Sequence, residues 1–397
     1  MRCPARDDVS GSWRVPLSDV QVDDELLEAA RETLASGWWS MGPRVADLEA
    51  RFSDHVGAHH ALAVANGTAA LHLSLLALGC GPGDEVVLPS LNFVAAANAV
   101  TRVGATPVFC DVVGRDDLNL DPGDLEDALS PRTRAVIILH YAGFACDVDA
   151  VTNLADRRGV AVIEDAAHAP GAAWNGRALG TIGAVGCFSF FSNKNLPVGE
   201  GGMIVTSDDG LAERLRLLRS HGMTTLTWQR HQGHASAYDV VEAGFNYRLD
   251  ELRAALAIVQ LGRLAAANLA RKGHALRYRA SLDGVEGVTF PFREPGRIDS
   301  AAHHLAVAVL PADVDREVVR EVLRAEGIQT SVHYPPIHRF TAYAELGARR
   351  PLARTEEVAD SIVTLPLYPH MTSSDVDLVA DVFATAVREK AGAVASN

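Results

Sequence analysis

The chain has 397 residues, of which 48% are hydrophobic and 22% charged, so it is long and apolar enough for a globular protein with a large core. Its 50 acidic residues outnumber the 36 lysines and arginines, and the formal net charge of -14 argues against non-specific binding to nucleic acid or to an anionic membrane. The length fits two or three domains, or one large α/β domain with a smaller appendage.

An amphipathic pattern at 44–57 predicts a first helix, and a regular alternation of strands and helices follows it. The strands are short, β-branched and nearly all apolar, as expected for a sheet that is buried on both faces. Strands that alternate with helices form βαβ units, so we expect a mostly parallel sheet. The predicted strands are 60–65, 84–89, 106–112, 134–140, 160–166, 187–191 and 201–206, and the predicted helices between the first five are 68–78, 93–103, 121–129 and 147–159.

The pattern changes near residue 247. A long run at helical spacing, 247–282, is predicted to join a large domain to a small C-terminal α+β layer. We therefore divide the chain into a large α/β domain at 1–246, with an N-terminal arm at 1–25, and a second part at 247–397 that holds the linking helix and the small domain. The elements predicted for the small domain are strands at 303–311 and 329–334 and helices at 316–327 and 374–388.

The five cysteines are widely spaced and form no CxxC pair, so we expect reduced thiols and no metal site. The N-terminal stretch "MRCPARDDVSGSW" lacks the apolar core of a signal peptide, and no unbroken apolar run approaches the roughly 20 residues that a spanning helix needs. These features predict a cytoplasmic protein without a membrane partner. The cysteines are Cys3, Cys80, Cys110, Cys146 and Cys187.

Residues that follow strands are the first candidates for function, because ligands of open α/β sheets bind beyond the carboxyl ends of the strands. The strand at 60–65 is followed by "NGT", which opens a helix at Thr68. Gly67 lets the backbone approach a ligand, and the N–H groups of the helix N-terminus suit a phosphate. Asn-Gly-Thr is also an ordinary helix cap, so both interpretations stay open at this point.

Two further strand ends carry ionisable side chains. Asp165 ends one strand, with His168 three residues later; by itself, Asp165 fits a structural capping carboxylate. Lys194 follows the strand at 187–191 and is either a solvated hairpin lysine or a pocket lysine that forms a Schiff base. A phosphate cradle, a carboxylate and a lysine on neighbouring strand ends are together what pyridoxal phosphate needs.

Eight segments, in order, resemble the DegT-type sugar-nucleotide aminotransferases, which are pyridoxal phosphate enzymes of fold type I. This resemblance spans nearly all of the chain and implies a large domain with a mostly parallel central sheet flanked by helices, plus a small C-terminal α+β domain. The segments are "SGWWSMGPRVADLE" (36–49), "NGTAALHLSLLALGCGPGDEVVLPSLNFVAAANAV" (66–100), "HYAGFACDVDAV" (140–151), "VIEDAAHAPGA" (162–172), "FSFFSNKNLPVGEGGM" (188–203), "GFNYRLDELRAAL" (244–256), "VHYPPIH" (332–338) and "LPLYPHMT" (365–372).

The resemblance implies a role for each matching residue. Lys194 would be the Schiff-base lysine and proton-transfer base, Asp165 would pair with the pyridinium nitrogen, and His168 would lie beside the ring and its 3-hydroxyl. Relatives that replace the lysine with histidine are dehydratases, so Lys194 favours transamination. Phe93 would stack on the ring, Gly67, Thr68, Ala69 and Ser189 would hold the phosphate, and Asn246 would reach the phosphate of the neighbouring subunit in a homodimer with shared sites. The chain departs from the usual pattern at Asn92 and at Ser192–Asn193, and neither change removes a catalytic group.

A polar segment at 221–239 is the candidate for substrate recognition. Its histidines and Arg230 fit either an exposed loop without function or a site for a nucleotide diphosphate, with Trp228 covering a base or sugar. The residues proposed here are Trp228, Arg230 and His231, together with His333 and Tyr334 of "VHYPP".

The resemblance implies an aminotransferase that moves an amino group from L-glutamate to a keto-sugar nucleotide, with C4 of a dTDP-4-keto-6-deoxyhexose favoured. Amination at C3 of a 3-keto sugar and amination of a cyclitol ketone are alternatives. A non-catalytic protein that binds pyridoxal phosphate is an alternative of another class. A dinucleotide-binding oxidoreductase is disfavoured, because "NGTAAL" is not a G-x-G-x-x-G motif.

Overall fold

Most of the predicted strands and helices are found in the computed structural model, which describes residues 13–225, 237–346 and 349–394. The described strands are β1 (His60–Val64), β2 (Glu85–Pro89), β3 (Thr106–Cys110), β4 (Val112–Gly114), β5 (Asp117–Leu120), β6 (Thr133–Leu139), β7 (Ala161–Asp165), β8 (Ala173–Trp174), β9 (Arg177–Ala178), β10 (Val185–Ser189), β11 (Gly202–Thr206), β12 (Ala306–Val309) and β13 (Ile362–Leu365). The described α-helices are α1 (Asp24–Ala35), α2 (Pro43–Val56), α3 (Gly67–Ala77), α4 (Ala95–Arg102), α5 (Pro122–Ala128), α6 (Val148–Arg158), α7 (Asp209–Arg219), α8 (Glu251–Leu282), α9 (Pro295–Ser300), α10 (Arg316–Ala325), α11 (Ala353–Ser361) and α12 (Ser373–Val394).

Seven strands form the central sheet, in the order β1-β11-β10-β7-β6-β2-β3. The pairs β10–β7, β7–β6, β6–β2 and β2–β3 are parallel, whereas β11 runs antiparallel to both β1 and β10. The prediction of a mostly parallel sheet is therefore confirmed. Because β1, β7 and β10 share one direction, their carboxyl ends lie at one edge of the sheet.

Side chains of the central strands alternate between two cores, one on each face of the sheet. In β7, Val162 packs into the cluster formed with α2, α6 and α8, and Ile163 packs into the cluster formed with α3, α4 and α7. Burying an aliphatic side chain of this size stabilises the fold by roughly 1.5–3 kcal/mol. Burial on both faces explains why the strands are apolar throughout.

The small C-terminal sheet differs from the prediction. Its two strands are β12 and β13, which pair antiparallel, and the predicted strand at 329–334 is wrong. That segment makes an isolated bridge from Ser331 to Thr364, and Ile328, just before it, makes another to Val15. The two prolines that follow it have no N–H to donate, and the chain leaves the sheet there.

The described part of the N-terminal arm lies against the C-terminal part of the chain. The Leu17 N–H donates to Gln329 Oε1 at 2.9 Å, and the Leu367 N–H donates to the Leu17 carbonyl at 3.1 Å. In the opposite direction, Ile337 and Tyr343 pack into the core of the central sheet. Each part of the chain therefore contributes a segment that packs against the other part. The domain boundary at 246/247 stays a prediction.

Helix α8 begins at residue 251 rather than at the predicted residue 247. Asp250 caps it, with its side chain accepting a hydrogen bond from the Arg253 N–H at 2.9 Å. By length and composition alone, α8 could cross a membrane. In the structure it packs against α1, α2 and α12, as expected for a helix that links two parts of one fold.

Candidate active site

The carboxyl ends of β1, β7 and β10 meet at a cavity of about 390 Å³. The chain direction of the parallel strands places the residues after each strand at this edge, as expected for a ligand site of an open α/β sheet. The structure thus brings together side chains that the sequence singled out separately. The predicted residues that line the cavity are Gly67, Thr68, Phe93, Asp165, His168, Ser189, Lys194, His333 and Tyr334.

One end of the cavity is the N-terminus of α3. Asn66 caps this helix, and its Oδ1 accepts a hydrogen bond from the Ala69 N–H at 2.8 Å. A methyl group on Gly67 would lie 3.0 Å from Ser189 Cβ, so a larger residue would push α3 and the end of β10 apart. The free N–H groups and the helix dipole make this end of the cavity suitable for a phosphate.

Lys194 is half-buried in the cavity wall, and its backbone N–H donates to the Phe191 carbonyl at 2.8 Å. Burial lowers the pKa of Lys194 to about 8, although the negative charge of Asp165 opposes that shift. About half of the Lys194 side chains are therefore neutral at pH 8, and a neutral amine is what a nucleophile or a proton acceptor requires.

The two carboxylates at the end of β7 have different surroundings. Glu164 is fully buried and accepts hydrogen bonds from the Gly180 N–H at 2.7 Å and from His140 Nε2 at 2.9 Å. Its carboxylate is therefore hydrogen-bonded within the protein. Asp165 is 6% exposed, and the one hydrogen bond that its side chain accepts from the described part of the chain comes from the Ala167 N–H, at 3.2 Å. Burial raises the pKa of Asp165, while that hydrogen bond and the charge of Lys194 lower it. Among the described residues, Asp165 therefore has no salt-bridge partner, and a protonated pyridine nitrogen would supply one.

His168 and Tyr334 form the wall beside Asp165. His168 Nε2 lies 2.8 Å from the Tyr334 hydroxyl, and burial holds the pKa of His168 well below its ordinary value, so the imidazole is neutral. The ring of Phe93 lies 5.9 Å from that of Tyr334 and is 55% exposed. This aromatic face is available for stacking against a planar ligand.

Comparison with known proteins agrees with this geometry. Residues 20–384 match the model of the DegT/DnrJ/EryC1/StrS aminotransferase family. The chain belongs to this family. It is 40% identical over 372 residues to the spore coat polysaccharide biosynthesis protein SpsC of Bacillus subtilis (strain 168), covering 92% of this chain and 95% of that protein.

Solved structures of this aminotransferase family have the same fold. The aminotransferase TlmJ from Streptoalloteichus hindustanus is 36% identical, with a TM-score of 0.87 over 94% of this chain and 99% of that one. DesV of S. venezuelae, solved in complex with a ketimine intermediate, is 36% identical, with a TM-score of 0.86 over 94% and 98%. The Helicobacter pylori aminotransferase PseC, involved in the biosynthesis of pseudoaminic acid, is 27% identical, with a TM-score of 0.87 over 94% and 99%. The predictions of fold class, family and enzyme class are confirmed: this is a sugar aminotransferase that uses pyridoxal phosphate.

The residues of this aminotransferase's cavity fit that cofactor. Besides Lys194 and the α3 cradle, the cavity is lined by Asn92 and Asn193, whose buried atoms Nδ2 and Oδ1 have no hydrogen-bond partner among the residues that the structure describes. Leaving such groups unpaired costs about 1–3 kcal/mol each, so a polar ligand in the cavity would stabilise them. Sequence reasoning noted both asparagines only as departures from the family pattern. The sequence signal that could have placed them in the site is their position, just after β2 and directly before Lys194.

The remaining predicted residues lie outside the cavity wall. The Ala69 N–H is bonded to Asn66, as described above. Asn246 is exposed, and its neighbour Tyr247 accepts the Ala65 N–H at 2.8 Å, so Asn246 lies close to the phosphate-binding end of the site without lining it. Trp228, Arg230 and His231 lie outside the described residues.

Proposed function

We propose that this aminotransferase moves the amino group of L-glutamate to a nucleotide-linked keto-sugar, at C4 of a dTDP-4-keto-6-deoxyhexose. The observation that supports transamination is the presence of Lys194 and Asp165 in one cavity, the lysine with a lowered pKa. The sugar class is supported by relatives whose names connect them with polysaccharide and pseudoaminic acid biosynthesis. The choice of C4 rests on likeness around "FFSNKNL".

Each residue of the site has a proposed task. Lys194 would hold the cofactor covalently, and as a neutral amine it would take the proton from Cα of the amino donor. Asp165 keeps the pyridine nitrogen protonated, and Phe93 faces the ring. When bound, pyridoxal phosphate supplies an electron sink for the charge that proton removal leaves behind. Thr68, Ser189 and the backbone at Gly67 and Ala69 hold the phosphate.

Recognition of the nucleotide diphosphate requires local positive charge in a chain of net charge -14. His333 is not a good source of that charge. Its Nδ1 lies 3.0 Å from Thr364 Oγ1, and burial, with the charge of Lys194, lowers its pKa to about 4, so it is neutral. We therefore assign the diphosphate to Arg230 and His231, and we keep Tyr334 and Trp228 as candidates for uncharged parts of the substrate or cofactor.

The test is an assay of keto-sugar nucleotides against several amino donors, with the position of the new amine determined by NMR. We expect turnover with L-glutamate and an amine at C4. An amine at C3 would replace the 4-keto assignment with the 3-keto alternative. Turnover of cyclitol ketones, with none of any sugar nucleotide, would overturn the proposal.

We further propose that the enzyme is a homodimer with shared active sites, in which Asn246 binds the cofactor phosphate of the neighbouring subunit. The exposure of Asn246, which leaves its side chain accessible to a second subunit, supports this. Two-fold dimers are also the commonest soluble oligomers. Asn246→Ala is expected to weaken cofactor affinity about tenfold to a hundredfold, since it removes one hydrogen bond to a charged group. Cofactor titration, with thermal unfolding as the folding control, measures this loss.

Mixing two poorly active variants, at a limiting concentration of pyridoxal phosphate, tests whether the site is shared. In a mixed dimer of Asn246→Ala and Lys194→Ala subunits, one site has both a normal lysine and a normal asparagine. Activity should therefore reappear on mixing when subunits exchange. If mass analysis finds mixed dimers but activity stays at the sum of the two variants, Asn246 serves its own subunit and the shared-site model is wrong.

A further inference from the structure

The hydrogen bonds of His168 define where its proton lies. The Ala142 N–H donates to His168 Nδ1 at 3.3 Å, and since a backbone N–H can only donate, Nδ1 carries no proton. Burial keeps the imidazole neutral, so its single proton is on Nε2. At 2.8 Å, His168 Nε2–H therefore donates to the Tyr334 hydroxyl oxygen.

Because His168 donates this hydrogen bond, the hydroxyl proton of Tyr334 remains available for another acceptor. Within the described parts of the chain, His168 is the hydrogen-bond partner of this hydroxyl, and it donates rather than accepts. Burial, together with the negative charge of Asp165, raises the pKa of Tyr334, so the phenol keeps its proton. Because Tyr334 lines the cavity, its O–H is a hydrogen-bond donor for a group bound inside.

We propose that Tyr334 donates this hydrogen bond to the ring oxygen of pyridoxal phosphate, and that His168 is a positioning residue that acts through Tyr334. The surroundings favour the cofactor as the acceptor, since Tyr334 contacts His168 and Phe93 and interacts electrostatically with Asp165, all at the cofactor end of the cavity. The family resemblance implied that His168 contacts the ring oxygen; in this proposal Tyr334 makes that contact instead. The inference rests on the cofactor and not on the identity of the sugar.

The proposal has a spectroscopic consequence. The ring oxygen lies next to the nitrogen that joins Lys194 to the cofactor, and the oxygen bears its full negative charge only after that nitrogen loses its proton. A donor to the oxygen therefore favours the deprotonated form and lowers the pKa of the nitrogen. Tyr334→Phe should raise that pKa by about one to two units, because one charge-assisted hydrogen bond is lost.

The experiment is a pH titration of the absorbance of the holoenzyme, without any substrate. Tyr343→Phe is the matched control, because it also removes a buried phenol hydroxyl, one that donates to Asn98 Oδ1 at 2.5 Å away from the cavity. We expect the titration to move to higher pH in Tyr334→Phe and to stay in place in Tyr343→Phe. His168→Gln, which keeps a side-chain N–H donor, should shift the titration midpoint less than His168→Ala does.

A double variant separates direct from indirect contact. If His168 acts through Tyr334, adding His168→Ala to Tyr334→Phe moves the titration no further. An additional, additive shift would give the oxygen to His168 itself and overturn the proposal. An unmoved titration in Tyr334→Phe would also overturn it, and a raised KM for the keto-sugar in that variant would then assign the hydroxyl to the substrate. The titration contains no sugar, so its result does not depend on whether the proposed keto-sugar substrate is correct.

Discussion

Lys194→Ala is expected to lower turnover by about 10⁴-fold or more. Removing a proton-transfer group costs up to about 10⁴-fold, and this variant also loses the covalent attachment of the cofactor. The cofactor should still bind through the phosphate cradle at α3, so the defect should lie in kcat rather than in cofactor occupancy. Steady-state assays with saturating pyridoxal phosphate measure it.

Borohydride reduction identifies the attachment site directly. The chain has three lysines, Lys194, Lys272 and Lys390, so peptide mapping gives an unambiguous result. Lys272 pairs with Asp299 at 2.6 Å outside the cavity, which makes Lys272→Ala the matched control. Label on Lys194 in the wild type and in Lys272→Ala is expected. Label on another lysine, or on none, contradicts the assignment.

The rate at which apoenzyme binds pyridoxal phosphate covalently should rise with pH through about 8. Only the neutral amine attacks a carbonyl, and burial lowers the pKa of Lys194 from 10.5 to about 8. At pH 8 about half of the Lys194 side chains are then neutral, against roughly 0.3% of ordinary lysines. Since Asp165 stabilises the ammonium form, Asp165→Asn should shift the midpoint to lower pH. A midpoint near 10 would show that Lys194 is solvated in solution.

The sequence predicted the central sheet and the strand-end residues because both depend on local signals. Apolar β-branched runs gave β1, β7 and β10, and parallel chain direction then required Gly67, Asp165 and Lys194 to approach one another. The name of the cofactor came from the combination of these residues and from family resemblance. No single motif was sufficient.

What the sequence did not predict depends on contacts between distant segments. The pairing of β12 with β13 is decided by which of several short apolar runs fits the C-terminal core, so the strand at 329–334 was a reasonable but wrong choice. The bond between His168 and Tyr334 joins residues 166 positions apart. Likewise, the unpaired amide of Asn92 becomes visible only when its surroundings are known.

Asp165→Asn is expected to slow the half-reaction with glutamate by about 10³-fold, while cofactor affinity stays within about tenfold. The amide cannot hold the pyridine nitrogen protonated, so the bound cofactor becomes a poorer acceptor of the charge left on the donor's Cα. Asparagine keeps an oxygen that can accept the Ala167 N–H, so the local turn is preserved and only the charge is removed. The substitution therefore tests electrostatics rather than folding.

The neighbouring carboxylate provides the contrast. Glu164→Gln also removes one negative charge at the end of β7, but Glu164 bonds to His140 and to backbone N–H groups inside the protein, so its loss should lower the melting temperature. The folded fraction of that variant should react with glutamate at a nearly normal rate. Stopped-flow absorbance after mixing with glutamate, normalised to bound cofactor, compares the two variants. A nearly normal single-turnover rate in Asp165→Asn would show that Asp165 is structural, because the charge facing the cavity would then have no part in the proton removal that we propose for Lys194.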